Sequence, residues 1–288
     1  MRFLVTAATG RTSAGVVRHL RSADEEVPGL VRDKDTATRT FDDLHGVDIV
    51  DGAFDDGVVL AKAFRGVKLP SWPWEVAPIR SGWRRPSSTA RCKPDYHTWS
   101  SCRASQPATT PPCFVGRLHA EIQDHLAASG LSYTLLHPAS FANNLFYKAE
   151  SVAVEHILPA AAPTGRVAYI DIRDLSEAAA LVLRDPTLHG KTYDLSGPDA
   201  YTFPEIAELP SMILGHEIKY VPVSPNDRRS ALLENGISPW FAELLLSLET
   251  SAEAGQIGTV TTTLKELLGR EPRTIENFLV ENASRFRS

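Results

Sequence analysis

The chain has 288 residues, 43% of them hydrophobic, which is enough to bury one large core or two unequal ones. Its formal charge of −5 gives no general attraction to nucleic acid or anionic membranes, and no apolar run reaches the length of a membrane span. Three irregularly spaced cysteines make neither a disulfide framework nor a zinc site. The expectation is a cytoplasmic globular protein without a metal, monomer or homodimer, whose partner is a small molecule.

The first stretch, Met1 to Val17, reads strand, tight turn, helix. Phe3, Leu4 and Val5 are apolar, small residues follow, and Val16, Val17 and Leu20 open a helical pattern that runs to about Arg21. A helix N-terminus behind such a turn offers unpaired N–H groups and partial positive charge to a phosphate. The strong form of a dinucleotide turn has three glycines; here those positions read Ala7, Gly10 and Ser13, so the middle one alone is kept. A βα turn without a ligand is the competing reading of this stretch taken alone.

Val27 to Val31 reads as a second strand with Arg32 and Asp33 at its end. An acid in this place takes the adenosine ribose 2′-hydroxyl and a base takes a 2′-phosphate, so Arg32 favours NADPH, with NADH possible. Val47 to Val50 reads as a third strand, followed by Phe54 as an apolar wall for adenine, by Asp55 and Asp56 as caps, and by a helix from Val58 to Phe64.

The pattern then stops. Lys68 to Phe114 holds all three cysteines, four of the five tryptophans and eight of the twenty prolines, with seven basic residues to two acids. A fourth and fifth strand belong here, and periodicity shows neither. A Pro-rich insertion and a compensated pair of reading-frame shifts both account for the break, and no chemistry is assigned to these residues.

Order returns with Leu118, Ile122, Leu126 and Ala127 at helical spacing, Gly130 as a C-cap, and a buried strand from Leu131 to Leu136 that ends at Pro138. Ser140, Phe141, Asn143 and Asn144 follow it, where α/β sheets meet their ligands. Val167 to Ile172 is strand-like, Asp174 caps a helix from about Leu175 to Leu183, and Lys191 to Leu195 is another strand. Thr202 with Glu205 makes a capping box for a helix to about Leu214, and Ile218 to Val223 is a strand. Three helical patterns close the chain, at about Asn226 to Asn235, Pro239 to Leu248 and Arg273 to Ala283.

The blocks VTAATGRTSAGVV, LVRD, GRLHAEIQDHLAASGLSYTLLHPASFANN, YIDIRDLSEAAALVL and YDLSGPDAYTF, in this order and spacing, resemble the NmrA-like members of the atypical short-chain dehydrogenase group. The resemblance implies an α/β fold: a Rossmann-type doubly wound parallel sheet over residues 1–138 and a small mixed α/β C-terminal substrate lobe over 139–288, with part of 165–195 returning to the sheet. It implies NAD(P)H at the first turn, held by Thr6, Gly10, Arg11 and Thr12, with Arg32 on the 2′-phosphate and Phe54 by the adenine. His137, Phe141, Asn143 and Asn144 would border the nicotinamide or substrate. Members of the group reduce quinones, azo or triphenylmethane dyes or plant phenolics, and others bind the dinucleotide as redox sensors that dock onto a protein.

This chain has no tyrosine with a lysine four residues on, so the acid–base pair of ordinary short-chain dehydrogenases is missing. In reductases of the group a lysine on the helix before SGLSYT donates a proton or orients substrate, and His119 stands there. An imidazole that titrates near neutrality would supply a proton after hydride delivery; a packing residue in the first turn of a half-exposed helix is the alternative. The expected function is an NAD(P)H-dependent reductase of a conjugated acceptor, with a non-catalytic redox-sensing regulator as the alternative.

Overall fold

The computed structural model describes residues 1–53, 56–65, 67, 69–72, 97–100, 114–129 and 132–287, with the backbone alone described at 69–72, 97–100, 114, 115, 117 and 118. Phe54, Asp55, Gly130 and Leu131, and with them the adenine-wall and C-cap expectations, lie outside the described residues.

In chain order the elements are β1 (Phe3–Thr6), α1 (Arg11–Ser22), β2 (Val27–Val31), α2 (Lys34–Thr40), β3 (Val47–Asp51), α3 (Gly57–Ala63), β4 (Leu69–Trp72), β5 (His97–Ser100), α4 (Phe114–Ser129) and β6 (Tyr133–Pro138). Then come β7 (Ser140–Phe141), a 3-10 helix (Ala142–Lys148), a π turn (Ser151–Glu155), β8 (Ile157–Ala160), β9 (Arg166–Val167), β10 (Tyr169–Ile170), α5 (Ile172–Arg184) and β11 (Thr192–Leu195). The chain closes with β12 (Tyr201–Thr202), α6 (Phe203–Leu214), β13 (Lys219–Pro222), α7 (Pro225–Glu234), α8 (Pro239–Glu253), α9 (Thr263–Leu268) and α10 (Ile275–Glu281).

Two compact units result: Met1–Ser101, His125–Leu136 and Leu175–Tyr193 form one, and Cys102–Asp124, His137–Asp174 and Asp194–Ser288 the other. Residues 175–193 thus belong with the first unit, and the described residues 114–124 with the second.

The sheet has seven strands in the order β11-β6-β5-β4-β1-β2-β3, and the five pairs from β3 to β6 are parallel. The order runs outward in both directions from the β1/β4 pair, so the switch point where such sheets bind ligands lies at the end of β1. Buried Leu4, Leu30, Val50 and Ala63 tie β1, β2, β3 and α3 into one apolar cluster. Asp56 caps α3 by accepting from the Val58 and Val59 amides at 2.8 and 3.2 Å.

One expectation is corrected here. A fourth and a fifth strand are present: β4 pairs Leu4 with Pro70, and β5 pairs Thr98 with Thr134. Each has four residues, and Pro70 in β4 argues against a central strand by composition. A parallel strand between two neighbours is defined by its ladders, and alternation is no guide to it.

The second unit packs Leu145, Leu158, Phe203, Ile206, Phe278 and others into its own core. Three two-stranded pairs frame it: β7 with β10 and β8 with β13 parallel, β9 with β12 antiparallel. The Thr202/Glu205 capping box opens α6 with both reciprocal bonds made. The cap of α5 differs from expectation. Asp171 accepts from the Arg173 amide at 2.8 Å and is the cap, while Asp174, fully buried in the first turn, takes Arg270 and Arg273 instead. The sequence favours Asp174 because it precedes the apolar run; the helix starts three residues earlier, at Ile172.

Candidate functional site

In the first unit the chain leaves β1 at Thr6, turns through Ala7 and enters α1 at Arg11. Ala7 lies at φ +45, the left-handed region, and its carbonyl accepts from the Gly10 amide at 2.8 Å. Gly10 is the N-cap in extended conformation (φ −66, ψ 154), so its value is a missing side chain, not a positive φ. A glycine caps with no side-chain oxygen, and α1 has no acid in its first turn. The first amides of a 12-residue helix are therefore left for an acceptor from outside the helix.

The surrounding side chains agree with that. The Thr6 hydroxyl is buried without a hydrogen-bond partner among the described residues. Arg11 is exposed at the first position of α1, and Arg32 is exposed directly after β2. Neither forms an ion pair or hydrogen bond among the described residues. Asp33 is committed elsewhere: as the cap of α2 it accepts from the Asp35 and Thr36 amides at 2.9 and 3.2 Å and from the Thr36 hydroxyl at 2.7 Å. Those bonds hold its carboxyl below the usual aspartate range, Thr36 contributing most. At the end of β2 the free charge is therefore cationic.

The glycine count is also corrected. Ser13 lies within α1, nearly fully buried, where helical backbone requires no glycine. Close packing is instead carried by Gly15, where a Cβ would stand 2.4 Å from the Ser176 hydroxyl oxygen. That hydroxyl donates to the Thr12 carbonyl at 3.0 Å, pinning the first turn of α1 to α5. The signal was present in the sequence as a glycine two places past the expected one.

In the second unit His119 is buried, 5% exposed. Burial, and secondarily the charge of His137, push it down to about 4, which favours the neutral ring at pH 7. His137 is buried too. Its Nδ1 lies 3.1 Å from an Asp194 carboxylate oxygen and its Nε2 3.1 Å from the Gln123 amide nitrogen, so both ring nitrogens are engaged within the protein. Phe141 is buried at the end of β7, whereas Asn143 and Asn144 are half-buried in the 3-10 helix that follows. The Asn143 carbonyl oxygen has no hydrogen-bond partner among the described residues, and Asn144 donates to the Ser140 hydroxyl at 3.3 Å.

Sequence reasoning missed a buried ionic cluster in this unit. Lys148 Nζ donates to a Glu249 carboxylate oxygen and to the Pro159 carbonyl, both at 2.7 Å, and Arg228 Nε donates to the same Glu249 oxygen at 3.2 Å. Burial pushes Lys148 down to about 8 against the opposing charge of Glu249. Burial alone would raise Glu249, but Lys148 and Arg228 beside it hold it below the usual range. Burial and then Glu249 push the Tyr169 phenol up, so it stays a neutral donor. The pair spans 101 residues, which hides it from any local pattern.

Among the described residues no cluster of His, Cys, Asp or Glu is arranged to hold a metal, and no helix is long and apolar enough to cross a membrane.

The sheet order and turn define a Rossmann-type α/β protein. The likeness to solved structures shows the same fold: the Escherichia coli NADPH-dependent quinone oxidoreductase, solved with NADPH, matches with a TM-score of 0.83 at 22% identity, over 98% of this chain and 99% of that one. No family model matches the chain. Among characterised proteins it is similar to agroclavine dehydrogenase of Claviceps fusiformis, 26% identical over 98% of this chain and 97% of the enzyme. It is likewise similar to the NAD(P)H azoreductase of Xenophilus azovorans, 25% identical over 98% of each.

Proposed function

We propose that the protein is an NADPH-dependent reductase that delivers hydride to a conjugated small-molecule acceptor such as a quinone or azo compound. The observation that carries this reading is the open N-terminus of α1, uncapped and without an acid, beside two exposed arginines that have no protein partner among the described residues. Relatives along nearly the whole chain are named as a dehydrogenase and an NAD(P)H azoreductase, which supports the same class.

These residues fit a dinucleotide. The amides of Arg11, Thr12 and Ser13 would take the pyrophosphate, the orphan Thr6 hydroxyl stands at the end of β1, and Arg32 would hold a 2′-phosphate as a fork. Bound there, NADPH would supply the hydride, and the protein would hold it, orient it and keep water away. Asn143 and Asn144, with Phe141 as an apolar wall, are the residues assigned to the acceptor. With its pKa pushed down to about 4, His119 would act near pH 7 as a neutral N–H donor and not as an imidazolium.

Arg32→Ala tests the cofactor choice. Removing a charge-assisted contact should cost NADPH affinity about tenfold to a hundredfold and leave NADH nearly unchanged. Equal losses for both cofactors by calorimetric titration would contradict the assignment. Tight NADPH binding with no oxidation across a quinone and azo-dye panel would favour the regulator instead.

A further inference from the structure

A cavity of about 30 Å³ lies within the second unit, bounded among others by Asn144, Lys148, Tyr169, Arg228 and Glu249. A buried water needs about 10–15 Å³ measured in this way, so the space takes roughly two or three non-hydrogen atoms. That is the size of a carboxylate head group.

The charges around it do not cancel. Lys148, Arg228 and Glu249 are all about nine-tenths buried or more, and they are the charged side chains lining the cavity among the described residues. One cation is thus in excess. Buried charges in proteins are normally paired, because leaving one without a counter-charge is costly. Lys148 is satisfied by Glu249 and Pro159, but Arg228 donates its Nε alone. Both terminal amino groups of its guanidinium lack a partner among the described residues, and so does the Tyr169 hydroxyl, itself buried at the same cavity. A two-pronged cation with a neutral phenol donor beside it matches the two oxygens of a carboxylate in number, charge and planar geometry.

We propose that this cavity is a carboxylate subsite, in which Arg228 and Tyr169 hold the carboxylate of an acidic acceptor. Its substrate role rests on the reductase reading; carboxylate binding itself does not. The site would select acidic aromatic acceptors over their neutral counterparts, Arg228 and Tyr169 being specificity residues.

The test uses the full chain without NADPH, so its failure is separable from failure of the reductase reading. Acetate and its neutral isostere acetamide are titrated at constant ionic strength while the melting temperature is followed. Acetate should raise it in a saturable way and acetamide should not, since a ligand bound by the folded state stabilises it in proportion to occupancy. Arg228→Met should weaken acetate at least about tenfold. If that variant does not fold, Tyr169→Phe decides, because it keeps every charge and should still weaken acetate several-fold. An equal rise with acetamide, or an undiminished acetate response in whichever variant is read, would overturn the proposal. With NADPH present, a naphthoquinone carboxylate should lose its advantage in kcat/KM over the parent quinone in the same variant.

Discussion

Ala7 holds the turn after β1 in a backbone conformation that an L-residue with a Cβ adopts at a cost of roughly 1–2 kcal/mol. Ala7→Gly should therefore stabilise the protein by about 1 kcal/mol, after the extra chain entropy of glycine is subtracted. Ser13→Gly should do the opposite and lose about 1 kcal/mol, because position 13 is helical and buried. Urea unfolding of both variants checks the pair, and two changes of the same sign would contradict the geometry. His119 gives a pH signature. Its folded value of about 4 lies below the ordinary 6.5, so the unfolded chain binds more protons between those limits. Stability is complete above about 6.5 and falls as pH drops toward 4, by up to about 3 kcal/mol. His119→Gln should flatten that part of the stability curve. The places of the turn before α1 and of Arg32 directly after β2 were legible in the sequence because both are local. The engagement of His137 by Gln123 and Asp194 was not, since its partners lie 14 and 57 residues away in the chain.

Among the elements, α1 does the most for the site, because its end is held open by what its sequence omits. Its seat on the rest of the unit depends on the close crossing with α5 at Gly15 and Ser176. Gly15→Ala should cost about 1–3 kcal/mol by overpacking, even though alanine is the better helix former. Ser176→Gly should restore part of that loss in the double variant, and strict additivity in denaturant unfolding would show that the two do not meet. Elements with a strong period or a cap were readable from sequence: β1, β2, β3, and α6 through its capping box. The four-residue strands β4 and β5 were not, because ladder pairing leaves no alternation to read in so short a stretch. Nor was the start of α5, where Asp171 and Asp174 compete as caps until the arginines at 270 and 273 claim the second.

At the scale of the whole chain, chemistry divides between the two units. Among the described residues the first carries open amides and free arginines, which suit phosphates; the second carries the Lys148/Arg228/Glu249 cluster and a small donor-lined cavity. The overall charge of −5 accordingly says little about either site, since both local features are cationic. The cluster was invisible in composition for the same reason: Lys148, Arg228 and Glu249 are unremarkable until the fold brings them together. The proposed function is NADPH-dependent reduction of a conjugated acceptor. It is tested most directly by mixing the purified protein with NADPH and a panel of quinones and azo dyes and following absorbance at the nicotinamide band. Protein-dependent loss of that absorbance is expected with at least one conjugated acceptor, faster with NADPH than with NADH. An unchanged band with every acceptor, although NADPH binds, would contradict it.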